Sequence, residues 1–309
     1  MPSIKDLKKR IGTVKNTQQT TRAMKMVSAA KLRRAQEAVL STRPYARQMQ
    51  SMIQALLASF KDDQAGFDSD LFGKLDDTMA IDGESLTVAK SVLVVVVTSD
   101  RGLCGGFNGN VIKAAQKWLL TRGSQYRHVT FSFVGRRGYD FFKTKGIDID
   151  QWFTDYGGKV TFQKAKGLAD DLVKDFRAGK YDEIKIIYNE FKNAASQITQ
   201  VEDFLPLKRK LVMDHAGHAS QEVADFLVKP DPATLFQDLV AKSVPMQTFR
   251  ILLESQAGEH GARMSAMENA TKNAGEMIKK LTLQYNKQRQ AAITKELLEI
   301  ISGSEAQKG

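Results

Sequence analysis

Apolar and small residues recur every three or four positions in a long stretch at each end of the chain. The first stretch opens with Ile4, Leu7 and Ile11, and the second follows Asp231. This spacing places the residues on one side of an α-helix, with a period typical of coiled coils. The pattern therefore predicts long helices over residues 3–60 and 232–302, which pair in an antiparallel coiled coil.

Capping signals support the start of both helices. Ser3 is followed three residues later by Asp6, which resembles a capping box with Asp in place of Glu. Asp231 is a suitable N-cap, and Pro232 suits the first helical position. The sequence therefore predicts that the first helix begins at Ser3 and the second at Asp231 and Pro232.

Proline and glycine predict where these helices change direction or end. Pro44 lies within the first helix and Pro245 within the second. Each proline removes a backbone donor, so we expect a kink at Pro44 and a bend or interruption at Pro245. Gly303 is expected to end the second helix.

The middle of the chain has a different periodicity. The apolar run "SVLVVVVTSD" at residues 91–100 predicts a buried strand, and the amphipathic residues 107–123 predict a helix. Further strands are predicted at 128–135, 181–191 and 196–207, and further helices after residue 135 and at 161–179. Alternation of strands and helices predicts a Rossmann-like α/β domain with a mostly parallel sheet.

These segments divide the chain into five parts. We predict an N-terminal coiled-coil helix at 1–60, a linker loop at 61–90 and an α/β domain at 91–207. An irregular connection at 208–230 precedes the C-terminal coiled-coil helix and tail at 231–309.

The net charge of +11 lies almost entirely at the start of the chain. Residues 1–61 hold 13 Lys and Arg against two acidic residues. Such a basic stripe suits nucleic acid, acidic lipid or an acidic protein surface, and it also suits a solvated helix face. Charge alone does not separate these alternatives.

The N-terminal sequence and the cysteine content bear on location. "MPSIKDLKKR" has no apolar segment of the kind found in secretory signals. A single cysteine rules out a disulfide framework and suggests a reducing compartment. These features favour a bacterial cytoplasmic protein, or one held at the inner face of a membrane by partners.

The segment "TSDRGLCGGFN" at residues 98–108 is the most distinctive local motif. It joins a strand to a helix, which is where α/β proteins bind phosphates. Its glycines match neither the P-loop nor G-x-G-x-x-G spacing. A tight turn used for docking is therefore the favoured interpretation, with candidate residues Asp100, Arg101, Gly102, Cys104 and Gly105.

Cysteine and histidine offer little support for catalysis or metal binding. Cys104 has no nucleophile signature around it. His215 and His218 have a metal-like spacing without a second ligand pair, so we assign them to a surface loop. His260 is expected to be a polar group between helices or at an interface. No cofactor, metal or catalytic site is predicted.

The C-terminal helix changes character near its end. Apolar residues from Ala291 and Ala292 onward wrap most of the way around the helix. We call its large members the apolar tip: Ile293, Leu297, Leu298, Ile300 and Ile301. Long polar residues accompany them and serve either solubility or contacts with a partner; they are Arg263, Arg289, Gln290, Thr294, Glu296 and Glu299.

Three segments resemble the gamma-subunit family of bacterial F-type ATP synthases. They are "IKDLKKRIGTVKNTQQTTRAMKMVSAAKLRRAQ", "SDRGLCGGFN", and the C-terminal "LLESQAGEHGARMSAMENATKNA" with "YNKQRQAAITKELLEIISG". They occur in the family's order and cover both ends of the chain and the first strand–turn–helix. The region between them is similar in layout but weakly in residues.

The resemblance implies a rotor shaft without an active site of its own. Gamma subunits turn inside a ring of alternating alpha and beta subunits, with the epsilon subunit and the membrane ring of c subunits below. It implies that Met24 and Lys25 lie near an acidic segment of beta, and that the long polar residues of the last helix contact the ring. The expected location is peripheral, on the cytoplasmic face of the bacterial inner membrane, through the complex alone.

Two other classes of protein remain as alternatives. A nucleic-acid-binding or coiled-coil scaffold is favoured by the basic first helix, although its Ala-, Ser- and Met-rich seam favours helix packing. A nucleotide-dependent enzyme is favoured by the α/β domain, although the glycine loop lacks the needed spacing. No nucleic acid is expected among the partners.

Overall fold

The computed structural model describes residues 3–59, 70–72, 90–154, 156, 158–193, 196–207 and 231–306. The predicted histidine loop and the 208–230 connection lie outside these residues, as does most of the 61–90 linker, so the five-part division stays a prediction. The chain divides into two compact units. One holds both ends of the chain, up to Ala30 and from Arg263, and the other holds Lys31–Ala262.

Five α-helices and five β-strands are formed by the described residues. In chain order they are α1 Ile4–Ser59, β1 Ser91–Val97, α2 Phe107–Arg122, β2 His128–Val134, α3 Arg136–Phe142, β3 Ile149–Phe153, α4 Phe162–Arg177, β4 Glu183–Phe191, β5 Gln197–Leu205 and α5 Pro232–Ala306. The two long terminal helices and the strand–helix alternation are confirmed. Strand β3 was not predicted, because it has only five residues and its sequence, IDQWF, shows neither an apolar run nor alternation.

Both predicted helix starts are confirmed by hydrogen bonds. At α1, the Asp6 amide donates to Ser3 Oγ over 3.2 Å, and the Ser3 amide donates back to Asp6 Oδ2 over 3.3 Å. At α5, the Thr234 amide donates to Asp231 Oδ1 over 2.8 Å. These side chains satisfy amides that have no partner within the helix.

Helix α5 is longer and more continuous than the sequence suggests. It runs for 75 residues through Pro245, so the predicted interruption there is wrong. Gly303 does not end it either, since the helix continues to Ala306. A glycine inside a helix costs only about 1 kcal/mol relative to alanine, so it does not enforce a stop. Helix α1 likewise continues through Pro44.

The sheet has the strand order β3-β2-β1-β4-β5. Strands β1 to β4 run parallel to one another, and β5 is antiparallel to β4. The prediction of a mostly parallel, Rossmann-like sheet is therefore confirmed. Because β1 is central, its residues Val92–Val97 are buried on both faces.

Each face of the sheet carries its own hydrophobic core. Alternate residues of β1, Val92, Val94 and Val96, pack with α2, α3 and β2. The residues between them pack into a larger core built by α4, α5 and the second half of α1. In this unit the terminal helices thus complete the α/β domain. None of the described helices is long and apolar enough to span a membrane.

Arg250 fastens α5 to the antiparallel edge of the sheet. Its Nη2 donates to both carboxylate oxygens of Glu202 on β5, over 2.7 and 3.0 Å. Its Nη1 contacts Tyr188 Oη on β4 at 3.2 Å and Glu254 Oε1 at 3.5 Å. Tyr188 also donates to Glu202 over 2.7 Å. One guanidinium therefore links three elements of the unit.

Replacing Arg250 with Met should lower the free energy of unfolding by about 2 kcal/mol, since hydrogen bonds to charged groups are lost and Glu202 keeps fewer partners. Urea unfolding followed by circular dichroism would measure the loss. Arg33→Met is the matched control, because Arg33 pairs with Glu37 at the surface, where ion pairs contribute little. Equal stability of the two variants would contradict the role of Arg250.

The Glu254 carboxyl makes the stability of this unit dependent on pH. Burial raises its pKa, against the opposing effect of Arg250, and one of its oxygens is buried without a hydrogen bond among the described residues. A raised pKa means that the folded chain holds the proton more tightly than the unfolded chain. Its stabilising contribution is therefore lost as pH rises above the ordinary carboxyl value.

Glu254→Gln should therefore gain thermal stability relative to the parent chain as pH is raised from about 5 to about 8. Differential scanning calorimetry across this range provides the measurement. Asp140→Asn is the control, because Lys143 lowers the pKa of the partly exposed Asp140 carboxyl and its effect falls at more acidic pH. A constant difference between Glu254→Gln and the parent would contradict the assignment.

Candidate functional site

The two ends of the chain pair antiparallel, as predicted. Gln18 Nε2 of α1 donates to the Thr271 carbonyl of α5 over 3.3 Å, and Thr271 Oγ1 donates to Thr21 Oγ1 over 2.8 Å. Lys25 Nζ lies 2.7 Å from Glu268 Oε1. Positions rising along α1 thus meet positions falling along α5.

The C-terminal end of α5 extends beyond the first residue of α1. The Gln18–Thr271 and Lys25–Glu268 contacts set a register in which Ile4, the first residue of α1, lies opposite Tyr285 to Arg289. We call Gln290–Ala306 the terminal segment of α5. At 1.5 Å per residue it extends about 25 Å past the start of α1. No other described residue of this unit covers it.

The apolar tip lies in this terminal segment and is open to solvent. Its five side chains are between 49% and 63% exposed, and every residue from Arg289 to Ser304 is exposed. Exposed apolar side chains grouped on one element mark an interaction surface. The exposed apolar tip is therefore a candidate interaction surface of this unit.

The polar candidates fall into two groups by burial. Arg289, Gln290, Thr294, Glu296 and Glu299 are exposed on the terminal segment, where Glu299 lies 3.6 Å from Lys295. Arg263 is 9% exposed, so it belongs to the packed part of its helix.

On α1, Met24 is half-buried and Lys25 is engaged with Glu268. Glu268 was not singled out in the sequence. Its position three residues before Thr271, on a helix predicted to pair with the basic first helix, was the available signal.

The loop after β1 is held by hydrogen bonds within the α/β unit. Ser99 and Asn108 exchange hydrogen bonds, with the Ser99 amide donating to Asn108 Oδ1 over 2.9 Å and Asn108 Nδ2 donating to Ser99 Oγ over 2.9 Å. Asn108 Nδ2 also lies 3.2 Å from Cys104 Sγ. Cys104 is 2% exposed, so its thiol is a packing and hydrogen-bonding group in this loop.

A second set of bonds joins this loop to the start of α3. Gly138 donates its amide to Thr98 Oγ1 over 2.9 Å, and Arg136 donates its amide to Asp100 Oδ1 over 3.0 Å. Gly135 has φ +87°, and a Cβ there would lie 2.1 Å from the Thr98 carbonyl oxygen. Only glycine fits at this position.

Leu103 is the feature of this loop that sequence analysis missed. It has φ +64° although it is not glycine, and its large side chain is 64% exposed. A bulky residue rarely adopts this backbone conformation, which persists only where the surroundings enforce it. The loop therefore presents a leucine side chain to solvent between buried hydrogen bonds. A leucine flanked by turn glycines was the only signal in the sequence.

The ligand crevice typical of doubly wound sheets is filled by protein. Such sheets bind ligands beyond the carboxyl ends of strands where the strand order reverses, which here lies between β1 and β4. Asn189 on β4 is buried and donates to the Phe107 carbonyl at the start of α2 over 3.0 Å. Gly258 of α5 approaches this point so closely that a Cβ would lie 3.3 Å from the Phe107 ring.

The packing of Gly258 bears on the enzyme alternative. A dinucleotide at this crevice would have to displace α5 from Phe107 and Asn189. In the part of the chain that the structure describes, no group of three or more His, Cys, Asp or Glu side chains is arranged to hold a metal ion. The geometry thus favours partner-binding surfaces at the terminal segment and at the loop after β1.

Comparison with known proteins matches the whole chain. A family model described as ATP synthase matches residues 3–307. The chain is 43% identical over 308 residues to an ATP synthase gamma chain of Anaeromyxobacter sp. strain Fw109-5, covering 100% of both. It is 42% identical over 311 residues to the gamma chain of Bdellovibrio bacteriovorus, again covering 100% of both.

Solved structures share the fold at lower identity. The rotor of the Euglena gracilis mitochondrial ATP synthase has a TM-score of 0.63 at 22% identity, covering 94% of this chain and 98% of that one. The central stalk of the Tetrahymena thermophila enzyme has a TM-score of 0.55 at 24% identity, covering 81% and 99%. The arrangement of long helices around a mixed sheet is common to them.

Asn108→Ala should loosen the loop after β1 and speed the labelling of Cys104. Loss of its hydrogen bonds should cost about 1–2 kcal/mol of stability. Because Cys104 is the only cysteine of the chain, reaction of the native protein with a chromogenic disulfide reports on this loop alone. Asn110→Ala, on the exposed side of the same helix, is the control. Equal labelling rates in both variants would show that Asn108 does not hold the loop.

Proposed function

The chain belongs to the ATP synthase gamma-chain family, and we propose that it is the central rotor shaft of such an enzyme. As a shaft it couples ion flow through the membrane sector to ATP synthesis and hydrolysis in a ring of alpha and beta subunits. The observation that carries this proposal is the match of the whole chain to gamma chains, together with an exposed apolar helix end of the kind that a surrounding ring would cover.

The mechanism that we propose needs no active site in this chain. A shaft acts by making different contacts with each catalytic subunit at each angle, and so favours one conformation of that subunit over another. A long helical pair suits this task because it transmits rotation over a distance. The filled crevice beside Gly258 supports a non-catalytic role, since α5 occupies the place where such a fold binds nucleotides.

We assign two regions of contact with the catalytic ring. Arg289, Gln290, Thr294, Glu296 and Glu299 supply polar contacts from the terminal segment, and the apolar tip supplies a bearing surface. Met24 and Lys25 supply contacts on α1, beside the ion pair with Glu268. Arg263, being largely buried, takes part through the packing of its helix.

The α/β unit is proposed to make the contacts on the membrane side of the enzyme. We propose that it binds the epsilon subunit and the ring of c subunits, so that the chain is peripheral at the cytoplasmic face of the bacterial inner membrane. Support comes from the Euglena rotor, whose complex includes F1 and a c-ring. The loop after β1, with Asp100, Arg101, Gly102, Cys104 and Gly105, remains the proposed docking loop, and Leu103 is added to it.

Co-purification tests this function directly. A tagged chain expressed in its native cell should bring down alpha, beta and epsilon subunits in a complex with ATPase activity, whereas the isolated chain should have none. Binding of nucleic acid, reversed by salt, without any of these subunits would favour the scaffold alternative. Nucleotide turnover by the isolated chain would favour the enzyme alternative.

Replacing both Arg289 and Gln290 with Ala should lower proton-driven ATP synthesis in membrane vesicles on the order of tenfold, as expected for lost hydrogen bonds to a charged group. The unfolding midpoint of the unassembled chain should not change, because both side chains are exposed. Lys280→Ala, another exposed residue of α5, provides the control. Unaltered synthesis in the double variant would remove these residues from the proposed contact.

A further inference from the structure

The carboxylate of Glu202 is the centre of the polar contacts between α5 and the antiparallel edge of the sheet. It accepts two hydrogen bonds from Arg250, over 2.7 and 3.0 Å. It accepts one more from Gln247 over 2.6 Å and one from Tyr188 over 2.7 Å. A carboxylate has about four acceptor positions, so these four bonds nearly fill its capacity. One side chain of β5 is therefore bound to α5 and to β4 at once.

The residues of α5 at this contact share one side of the helix. In chain order they are Gln247, Arg250, Glu254 and Gly258. Their steps of three and four residues place them within an arc of about 80°, at 100° per residue. Gly258 belongs to this arc because a Cβ added to it would lie 3.2 Å from the side chain of Gln197, at the start of β5. The contact thus extends over about three turns of α5.

The remaining contacts of α5 with this unit are of a different kind. Phe236, Val240 and Val244 belong to the apolar core that α5 shares with α4 and the second half of α1. Apolar packing is non-directional, and packed helices can slide past one another by small shear movements. A guanidinium that binds both oxygens of a carboxylate needs a particular distance and angle. The core therefore fixes which face of α5 is buried, and the Arg250–Glu202 pair fixes its position along the sheet.

A slip of α5 along the sheet would be costly at Glu202. A shift by one turn, about 5.4 Å, would remove the bonds from Arg250 and Gln247, since both donors move with the helix. The Glu202 carboxylate would then keep only its bond from Tyr188. Its side chain is 24% exposed, so water could replace the lost donors only in part. The polar contact thus resists a movement that the apolar core permits.

We infer that Glu202 and Arg250 are positioning residues that lock α5 to the sheet against load. This inference rests on the proposed function and deepens it. In a rotor shaft the ring of c subunits turns the α/β unit, and α5 continues as one helix to Ala306. Force on the sheet reaches α5 through the contacts just described, among which the bonds of Glu202 are directional. A lock of this kind lets the helix turn with the sheet instead of sliding on it.

Hydrogen exchange of the unassembled chain tests the lock itself. Arg250→Lys keeps the cation but loses the two-bond geometry, so the amides of residues 247–258 should exchange about tenfold faster than in the parent. Val94→Ala is the matched control. It also lowers stability, but Val94 lies in the core on the other face of the sheet, which contains no residue of α5. Equal exchange of residues 247–258 in the two variants would contradict the lock.

Proton pumping by the assembled enzyme in membrane vesicles tests the response to load. With an uncoupler present there is no opposing gradient, and both Arg250 variants and Val94→Ala should hydrolyse ATP at the parent rate. Against a gradient, Arg250→Met should pump fewer protons for each ATP hydrolysed, because α5 slips on the sheet. Arg250→Lys should lie between Arg250→Met and the parent, since it keeps the charge. Val94→Ala should pump like the parent.

Each outcome decides the inference. Pumping at the parent level in Arg250→Met would overturn it. An equal loss in Val94→Ala would also overturn it, since lower stability alone would then explain the effect. If Arg250→Met does not assemble, Arg250→Lys supplies the same comparison with Val94→Ala. Failure of the parent chain to assemble with alpha and beta would instead overturn the proposed function.

Discussion

Close approach of α5 to the sheet is the constraint on which the α/β unit depends. Gly258 brings the helix backbone against Phe107 and Asn189, and a larger residue there would meet atoms at 3.2–3.3 Å. Arg250, two turns earlier on the same helix, holds Glu202 and Tyr188. Packing and hydrogen bonding thus act together to fix the helix on β4 and β5.

The close approach of Gly258 also places α5 where sheets of this strand order commonly bind nucleotides. The strand order follows the Rossmann pattern, although the glycines after β1 do not, and α5 packs at the point where the strand order reverses. The turn is held by Ser99, Asn108 and Cys104, whose polar groups satisfy one another. These bonds hold the turn together within the protein.

Much of this could be predicted from the sequence, because periodicity and capping are local. The helix starts at Ser3 and Asp231 follow from residue types three positions apart, and the valines of β1 follow from burial on both faces. The continuation of α5 through Pro245 and Gly303 could not be predicted. Local propensity there is overridden by packing at Pro245 and by good helix formers after Gly303.

The candidate site likewise has features that local sequence reveals and features that depend on contacts between distant residues. The apolar run that contains Ile293 and Leu297 was apparent from the sequence, but the exposure of these side chains depends on where α1 begins, which the contact of Gln18 with Thr271 sets. Leu103 could not be found either, since a positive φ at a leucine has no signature in residue type. Contacts between distant residues are what the sequence alone does not supply.

The ion pair of Lys25 with Glu268 affects how strongly a charged partner could hold the proposed shaft at one rotational angle. Because the lysine already has a counter-ion at 2.7 Å, a carboxylate at the ring contact proposed for Lys25 would either share the ammonium with Glu268 or replace it. An exposed pair of this kind is worth only about 0.2–1 kcal/mol, so exchanging one carboxylate for another changes the free energy little. The Lys25 ammonium can therefore change carboxylate partners without a deep minimum in free energy at any rotational angle of the proposed shaft.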